Sequence, residues 1–271
     1  MADATEHHAG SGTSADAHIE VRDLTMAYGD RVIMQDLSFT VRRGDVFVIM
    51  GGSGSGKSTL LYHLIGLVEP AKGEVFYDGV SFTRASPDER ARLLGRVGIT
   101  YQGGALFSAL TLAQNVGVPL EEYTDLSPRE IRDVAELKLA LVGLRGFEDH
   151  YPAEISGGMQ KRAALARAIA LDPEVLFFDE PSAGLDPVSS RRLDELVLAL
   201  RDGLGATVVV VTHELPSIFT IADDAIYLDV ETKTLLAHGN PKDLLAHCPA
   251  KAVQEFLRRG DTGDGKAATH G

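Results

Sequence analysis

The sequence predicts an α/β fold: a core with a mainly parallel sheet, a separate antiparallel β layer and an inserted α-helical segment. Three observations lead there. Residues 46–50, 175–178 and 208–211 are continuous apolar runs, as expected for parallel strands covered on both faces. Ile19/Val21, Leu37/Phe39/Val41 and Val75/Tyr77 alternate with polar neighbours, the period of half-buried strands in an antiparallel layer. Between about 105 and 170 the chain reads as mostly helical.

Taken in order, residues 1–17 are small and polar without apolar periodicity and read as a disordered tail, in which His7 and His8 are solvated residues before they are metal ligands. The first alternating segments follow. The apolar run 46–50 then leads through a glycine-rich stretch into a helix carrying Leu60, Leu61, Leu64 and Ile65. Ser127-Pro128-Arg129-Glu130 is a capping box, opening a helix through Ile131, Val134, Ala135 and Val142. Asp186-Pro187 supplies an N-cap and first-turn proline for a helix through Leu193, Leu196, Val197 and Leu200, ending near Gly203 and Gly205. Residues 260–271 read as a second disordered tail.

Composition narrows the class. A chain of 271 residues with 44% hydrophobic content can bury a sizeable core, whereas its longest aliphatic run, 208–211, is far short of the ~18 apolar residues of a membrane span. The N-terminus has no apolar signal core, so the chain is expected in the cytosol without direct membrane insertion. The net charge of −13 opposes broad binding to nucleic acid or to an anionic lipid surface, so any membrane role must run through a protein partner. The single cysteine, Cys248, cannot form an internal disulfide and reads as a packing or surface thiol.

The chemistry begins at Gly51-Gly52-Ser53-Gly54-Ser55-Gly56-Lys57-Ser58-Thr59, which fits G-x-x-x-x-G-K-[ST] directly between an expected strand and an expected helix. Glycines let successive N–H groups curl toward phosphate oxygens, and the helix N-terminus adds positive potential. Lys57 is expected to reach the β- and γ-phosphates of a nucleotide, and the Ser58 hydroxyl to hold Mg²⁺. Asp179 and Glu180 end the run 175–178, where open α/β sheets present ligands. Asp179 suits a Mg²⁺ ion through water; Glu180 suits alignment or deprotonation of an attacking water. His213 follows the run 208–211 and could donate a hydrogen bond to the γ-phosphate, and Gln102 could touch Mg²⁺ or the water; alone, neither residue would be informative. A second glycine-rich segment, Ser156-Gly157-Gly158-Met159-Gln160, also opens an expected helix. Two such segments grip both ends of one triphosphate only if two copies of the chain meet face to face.

These motifs, in this order, resemble the nucleotide-binding subunit of ABC transporters, over nearly all of 18–245. The resemblance implies an ABC ATPase fold over 18–259 with a RecA-like P-loop core, the antiparallel layer and a helical subdomain at about 105–170. It makes Tyr28, otherwise an ordinary turn tyrosine, the aromatic that stacks on adenine. It makes Gln102 the Q-loop, Ser156 to Gln160 the signature, Ser182 to Asp186 the D-loop and His213 the switch histidine. Within the family, Gln102-Gly103-Gly104-Ala105-Leu106-Phe107-Ser108-Ala109-Leu110-Thr111 and the run from Ser156 to Ala168 look like the Mla/Mce-type phospholipid transport ATPases. Met159 stands where many ABC proteins carry glutamine, and Gly52 where many carry proline; the first departure agrees with the Mla/Mce type.

The resemblance implies ATP and Mg²⁺ held between two copies in a two-fold homodimer. It also implies an integral-membrane permease docked near 103–125, the company of a substrate-binding Mce-type protein, and a place on the cytoplasmic face of the bacterial inner membrane. The alternatives are a motor for another solute, a soluble ABC-type mechanoenzyme on DNA or ribosomes, and a generic P-loop phosphotransferase. The acidic charge and single cassette count against the mechanoenzyme, and the segment 156–160 has no use in the phosphotransferase.

Overall fold

The computed structural model describes residues 16–259. The expected C-terminal tail, His7 and His8, and all but two residues of the expected N-terminal tail lie outside them. Residues 16 and 17 are built into the fold: Ala17 pairs with Arg42, and the Asp16 carbonyl accepts from the Arg43 N–H at 3.0 Å.

The chain runs through β1 (Ala17–Tyr28), β2 (Arg31–Arg42), β3 (Val46–Gly51), α1 (Lys57–Leu64), β4 (Lys72–Tyr77), β5 (Val80–Ser81), α2 (Pro87–Leu94) and β6 (Val97–Thr100). A helical segment follows: α3 (Leu112–Tyr123), α4 (Pro128–Leu141) and α5 (Gly157–Ala168). The chain then returns through β7 (Val175–Asp179), α6 (Pro187–Leu204), β8 (Thr207–Val211), α7 (Leu215–Ile221), β9 (Asp224–Asp229), β10 (Thr234–Gly239), α8 (Pro241–His247) and α9 (Lys251–Arg258).

Two sheets result. The antiparallel layer has the order β2-β1-β4-β5, and the core sheet has the order β10-β9-β3-β8-β7-β6, parallel except for β10. The apolar runs of the core strands serve two cores at once. Phe47, Ile49, Phe177, Val209 and Val211 face the antiparallel layer and α1, while Val46, Val48, Leu176, Phe178, Val208 and Val210 face the helices on the other side. Successive side chains of a strand point to opposite faces, so a strand covered twice has no polar position to spare.

Ends of helices follow local rules. Ser127 caps α4 through a complete capping box with Glu130, and Ser86/Glu89 and Thr111/Gln114 form two more boxes on α2 and α3. The helical segment lies directly on the core sheet at its β6 edge. A Cβ on Gly98 would stand 2.2 Å from the carbonyl oxygen of Ala168, the last residue of α5, so only glycine permits this approach. The C-terminal ends of β3, β7 and β8 come side by side, with Asp179 paired to Val211 and Ile49 paired to Val211. That edge carries the site.

Candidate active site

β3 delivers the chain into the loop at Gly51, whose φ of +153° and whose surroundings both demand glycine. A Cβ there would lie 2.5 Å from the Leu228 carbonyl oxygen and 2.6 Å from Ser55 Oγ. Gly52 and Gly54 instead have nothing within 4 Å of a Cβ position. They stand at a cleft of about 620 Å³ lined by residues 51–59 together with Gln102, Glu180 and His213. The start of α1 adds free N–H groups and positive potential, the arrangement that holds phosphates. Lys57 is buried and donates from Nζ to the carbonyls of Gly51 at 3.1 Å and Gly52 at 3.0 Å. Burial lowers its pKa, against the pull of Glu180 and Asp179. Ser55 Oγ is buried without a partner among the described residues, a polar atom left for a ligand.

The carboxylates come from the end of β7. Ser58 Oγ donates to Asp179 Oδ1 at 2.9 Å, putting a hydroxyl and a carboxylate oxygen at one point. These are hard oxygen donors of the kind a divalent cation such as Mg²⁺ takes. Burial raises the Asp179 pKa, and neighbouring Glu180 raises it further, although the Ser58 hydrogen bond opposes both. The acid pair therefore sits where added positive charge is stabilising.

Glu180 has φ of +49°, immediately before Pro181. A left-handed conformation costs a non-glycine residue roughly 1–2 kcal/mol, and a following proline disfavours helical backbone further. Two backbone hydrogen bonds hold it there. Its N–H donates to the Val211 carbonyl at 2.8 Å, and its carbonyl accepts from the Ala183 N–H at 3.2 Å. The side chain is fixed as well, with Oε1 2.8 Å from His213 Nδ1. With Glu180 ionised, the carboxylate can only accept, and Nδ1 is then the donor of the pair. His213 can then donate from Nε2 to a phosphate only as imidazolium, or after leaving Glu180. Glu180 Oε2 is buried at the cleft without a partner among the described residues.

The second glycine segment stands elsewhere. Ser156 caps α5, its Oγ accepting from the Met159 N–H at 3.3 Å. Gln160 turns inward, donating from Nε2 to the carbonyls of Pro152 at 2.8 Å and Ile155 at 3.4 Å, and Met159 packs on the helical core. Gly157 has nothing within 4 Å of a Cβ position, and Gly158 only ordinary contacts from 3.8 Å.

The fold thus gathers residues 51–59, Gln102, Glu180 and His213 around one cleft, with Asp179 buried behind it and bonded to Ser58 of its lining. It leaves Ser156, Gly157, Gly158, Met159, Gln160, Asp186 and Tyr28 outside the cleft's lining. Asp186 caps α6, accepting from the N–H groups of Val188 and Ser189 at 3.0 Å each. Tyr28 ends β1, 51% exposed. Ile33, Leu215, Phe256 and Arg259 also line the cleft, and no local pattern marks them.

This fold and site define a class. Residues 34–183 match the ABC transporter family, and the chain belongs to that family as an ATP-binding cassette. Within the family it is similar to the intermembrane phospholipid transport system ATP-binding protein MlaF of Haemophilus influenzae, 42% identical over 240 residues, covering 89% of this chain and 90% of MlaF. MlaF of Escherichia coli K12 is 41% identical, covering 88% of both chains. The probable ribonucleotide transport ATP-binding protein mkl of Mycobacterium tuberculosis is also 41% identical over 88% of this chain, which spans only 66% of the length of that relative. Among solved structures, cbiO1 from Clostridium perfringens, part of the ABC transporter complex cbiONQ, superposes with a TM-score of 0.78 at 28% identity, covering 92% of this chain and 96% of that one. A dimeric post-hydrolysis ATP-binding cassette bound to ADP and Pi superposes with a TM-score of 0.74 at 30% identity, covering 82% of this chain and 98% of its own.

Proposed function

We propose that the chain is the ATP-hydrolysing motor subunit of a membrane transporter that moves phospholipid or a related lipid. It works as a two-fold homodimer on the cytoplasmic face of a bacterial inner membrane, joined to a separate permease and a substrate-binding Mce-type protein. The observation that carries the dimer is that a Cβ would meet nothing within 4 Å at Gly157 and only ordinary contacts from 3.8 Å at Gly158 among the described residues. Glycine weakens a helix by roughly 1 kcal/mol against alanine, and nothing in the chain's own packing calls for two of them at the start of α5. A phosphate group approaching the N–H groups of that helix from a second copy does.

The residues take the following roles. Lys57 exchanges the carbonyls of Gly51 and Gly52 for β- and γ-phosphate oxygens, and Ser55 Oγ gains the partner it lacks. Tyr28 stacks on adenine. Ser58, Asp179 and Gln102 hold Mg²⁺, which when bound neutralises charge on the phosphate oxygens. Glu180 aligns or deprotonates the attacking water, and His213 contacts the γ-phosphate. Ser156, Gly157 and Gly158, with Asp186 beside them in the dimer, complete the partner's site. Closing on ATP and opening after hydrolysis is a two-state motion biased by the γ-phosphate.

A permease surface lies alongside. A groove of about 700 Å³ between the core and the helical segment is lined by Leu67, Phe107, Pro119 and Tyr123, and three of these are large exposed apolar side chains. It falls within the expected docking segment 103–125 and its neighbourhood. No described helix is long and apolar enough to cross a membrane, in keeping with attachment through another subunit.

The test is to purify the chain with its partners from native membranes and identify bound lipid by mass spectrometry. A co-purifying permease carrying lipid is the expected result. A permease without lipid, with ATP turnover stimulated by a small solute, would reject the cargo. The name of the mycobacterial relative makes a ribonucleotide the first such solute to try.

A further inference from the structure

Lys161 lies on α5, five residues after its N-cap, and its ammonium reaches the loop that follows Glu180. It donates to the carbonyls of Pro181 at 2.7 Å and Ala183 at 2.7 Å, with the Glu180 carbonyl at 3.4 Å. Three carbonyl oxygens therefore converge on one point, where their dipoles repel unless a cation stands between them. An ammonium carries three donors, one for each. A small cavity lined by Lys161, Gln102, Phe178 and Pro181 leaves the ammonium only partly solvated. Burial depresses its pKa while Glu180 holds it up, as for a charge kept in place by fixed partners.

The two ends of this bridge serve different nucleotides. Glu180 belongs to the chain's own cleft, whereas the first turn of α5 carries Ser156 and Gly158, the half-site for the partner's cleft in the dimer on which this inference rests. We infer that Lys161 is a positioning residue that couples the two sites. It ties the helix that grips the partner's nucleotide to the strained residue that acts on its own. The seating of α5 on a partner's γ-phosphate is passed through the carbonyls of 180–183 to the setting of the Glu180 carboxylate. Lys161 touches no substrate.

The experiment compares ATP turnover by the full chain with that of Lys161→Met, which keeps the stem and removes the donors, and Lys161→Arg, which keeps the charge and several donors. Each variant is matched to wild type by circular dichroism and thermal melting. In K161M, kcat should fall by between about tenfold and hundredfold, because misplacement of a reacting group is costly while ground-state binding is untouched. The KM for ATP should stay within about twofold, and the Hill coefficient for ATP should fall toward about one as coupling is lost. K161R should restore most of kcat. If K161M does not fold, Lys161→Gln takes its place in the same comparison with K161R. Wild-type kcat and cooperativity in K161M, or a loss equal in kcat and affinity that K161R fails to rescue, would overturn the inference alone. A wild-type chain that neither binds nor hydrolyses ATP would overturn the motor reading and the inference together.

Discussion

Ser58 Oγ and Asp179 Oδ1 meet at 2.9 Å, joining the first residues of α1 to the end of β7 across 121 positions of sequence. Burial raises the Asp179 pKa above its ordinary 3.8. A carboxylate raised in this way contributes stability below its unfolded pKa and loses it as pH rises through the folded value. At neutral pH the ionised group is therefore a cost that a bound cation relieves. Asp179→Asn should raise the melting midpoint of the nucleotide-free chain by about 2–4 °C, while removing Mg²⁺-dependent hydrolysis. A lowered midpoint at pH 7 would contradict this account.

Glu180→Gln keeps the shape and a hydrogen-bonding group beside His213 but removes the base. Turnover should drop by about 10²–10⁴-fold, the range of general-base contributions, and the ATP-bound dimer should accumulate. Size-exclusion chromatography with ATP checks it; monomer alone would sink the sandwich.

Lys57→Ala removes the Nζ donor now held by the Gly51 and Gly52 carbonyls. Two charge-assisted hydrogen bonds to phosphate are worth roughly 1.5–3 kcal/mol each. ATP affinity should fall by at least about a hundredfold at unchanged melting temperature, as calorimetric titration would record. Unaltered affinity would remove Lys57 from the cradle.

His18 and His63 govern the acid side of stability. Burial lowers both pKa values below the ordinary 6.5; Arg43 and Arg96 oppose protonation of His18 and Asp78 and Glu174 favour it, while the Val68 carbonyl and Glu69 favour it for His63. A depressed pKa means that the unfolded chain binds more protons in that window, so stability is full above 6.5 and declines as pH falls through the folded values. Among the described residues His63 Nε2 has no hydrogen-bond partner, so a proton added there finds no acceptor. Melting midpoints should fall between pH 7 and about pH 5, above the range in which ordinary carboxylates titrate, and His18→Gln should flatten the slope. A midpoint constant over that interval would refute the assignment.

Much of the fold was legible because its signals are short. The phosphate loop, the Ser127 and Asp186 caps and the two kinds of strand each occupy a handful of residues, and their physics is local. The boxes at Ser86 and Thr111 follow the same rule as Ser127, and a systematic search for S/T-x-x-E/Q finds them. The hairpin of β9 and β10 was harder: β9 is buried throughout, whereas the half-exposed β10 shows weak alternation. Nothing local marks Phe256 or Arg259 as neighbours of the phosphate loop, since α9 reaches it only after the chain has closed around β9.

Residue order by itself nominated the groups proposed to bear the chemistry, because a glycine loop before Lys57 and an acid pair after an apolar run are local arrangements with few other uses. Only the folded chain decided how they are held. The left-handed turn at Glu180, the contact of its Oε1 with His213 Nδ1, and the Lys161 ammonium under three carbonyls are set by contacts across 19 to 33 positions. Such contacts depend on the order and register of strands, which no window of neighbouring residues contains.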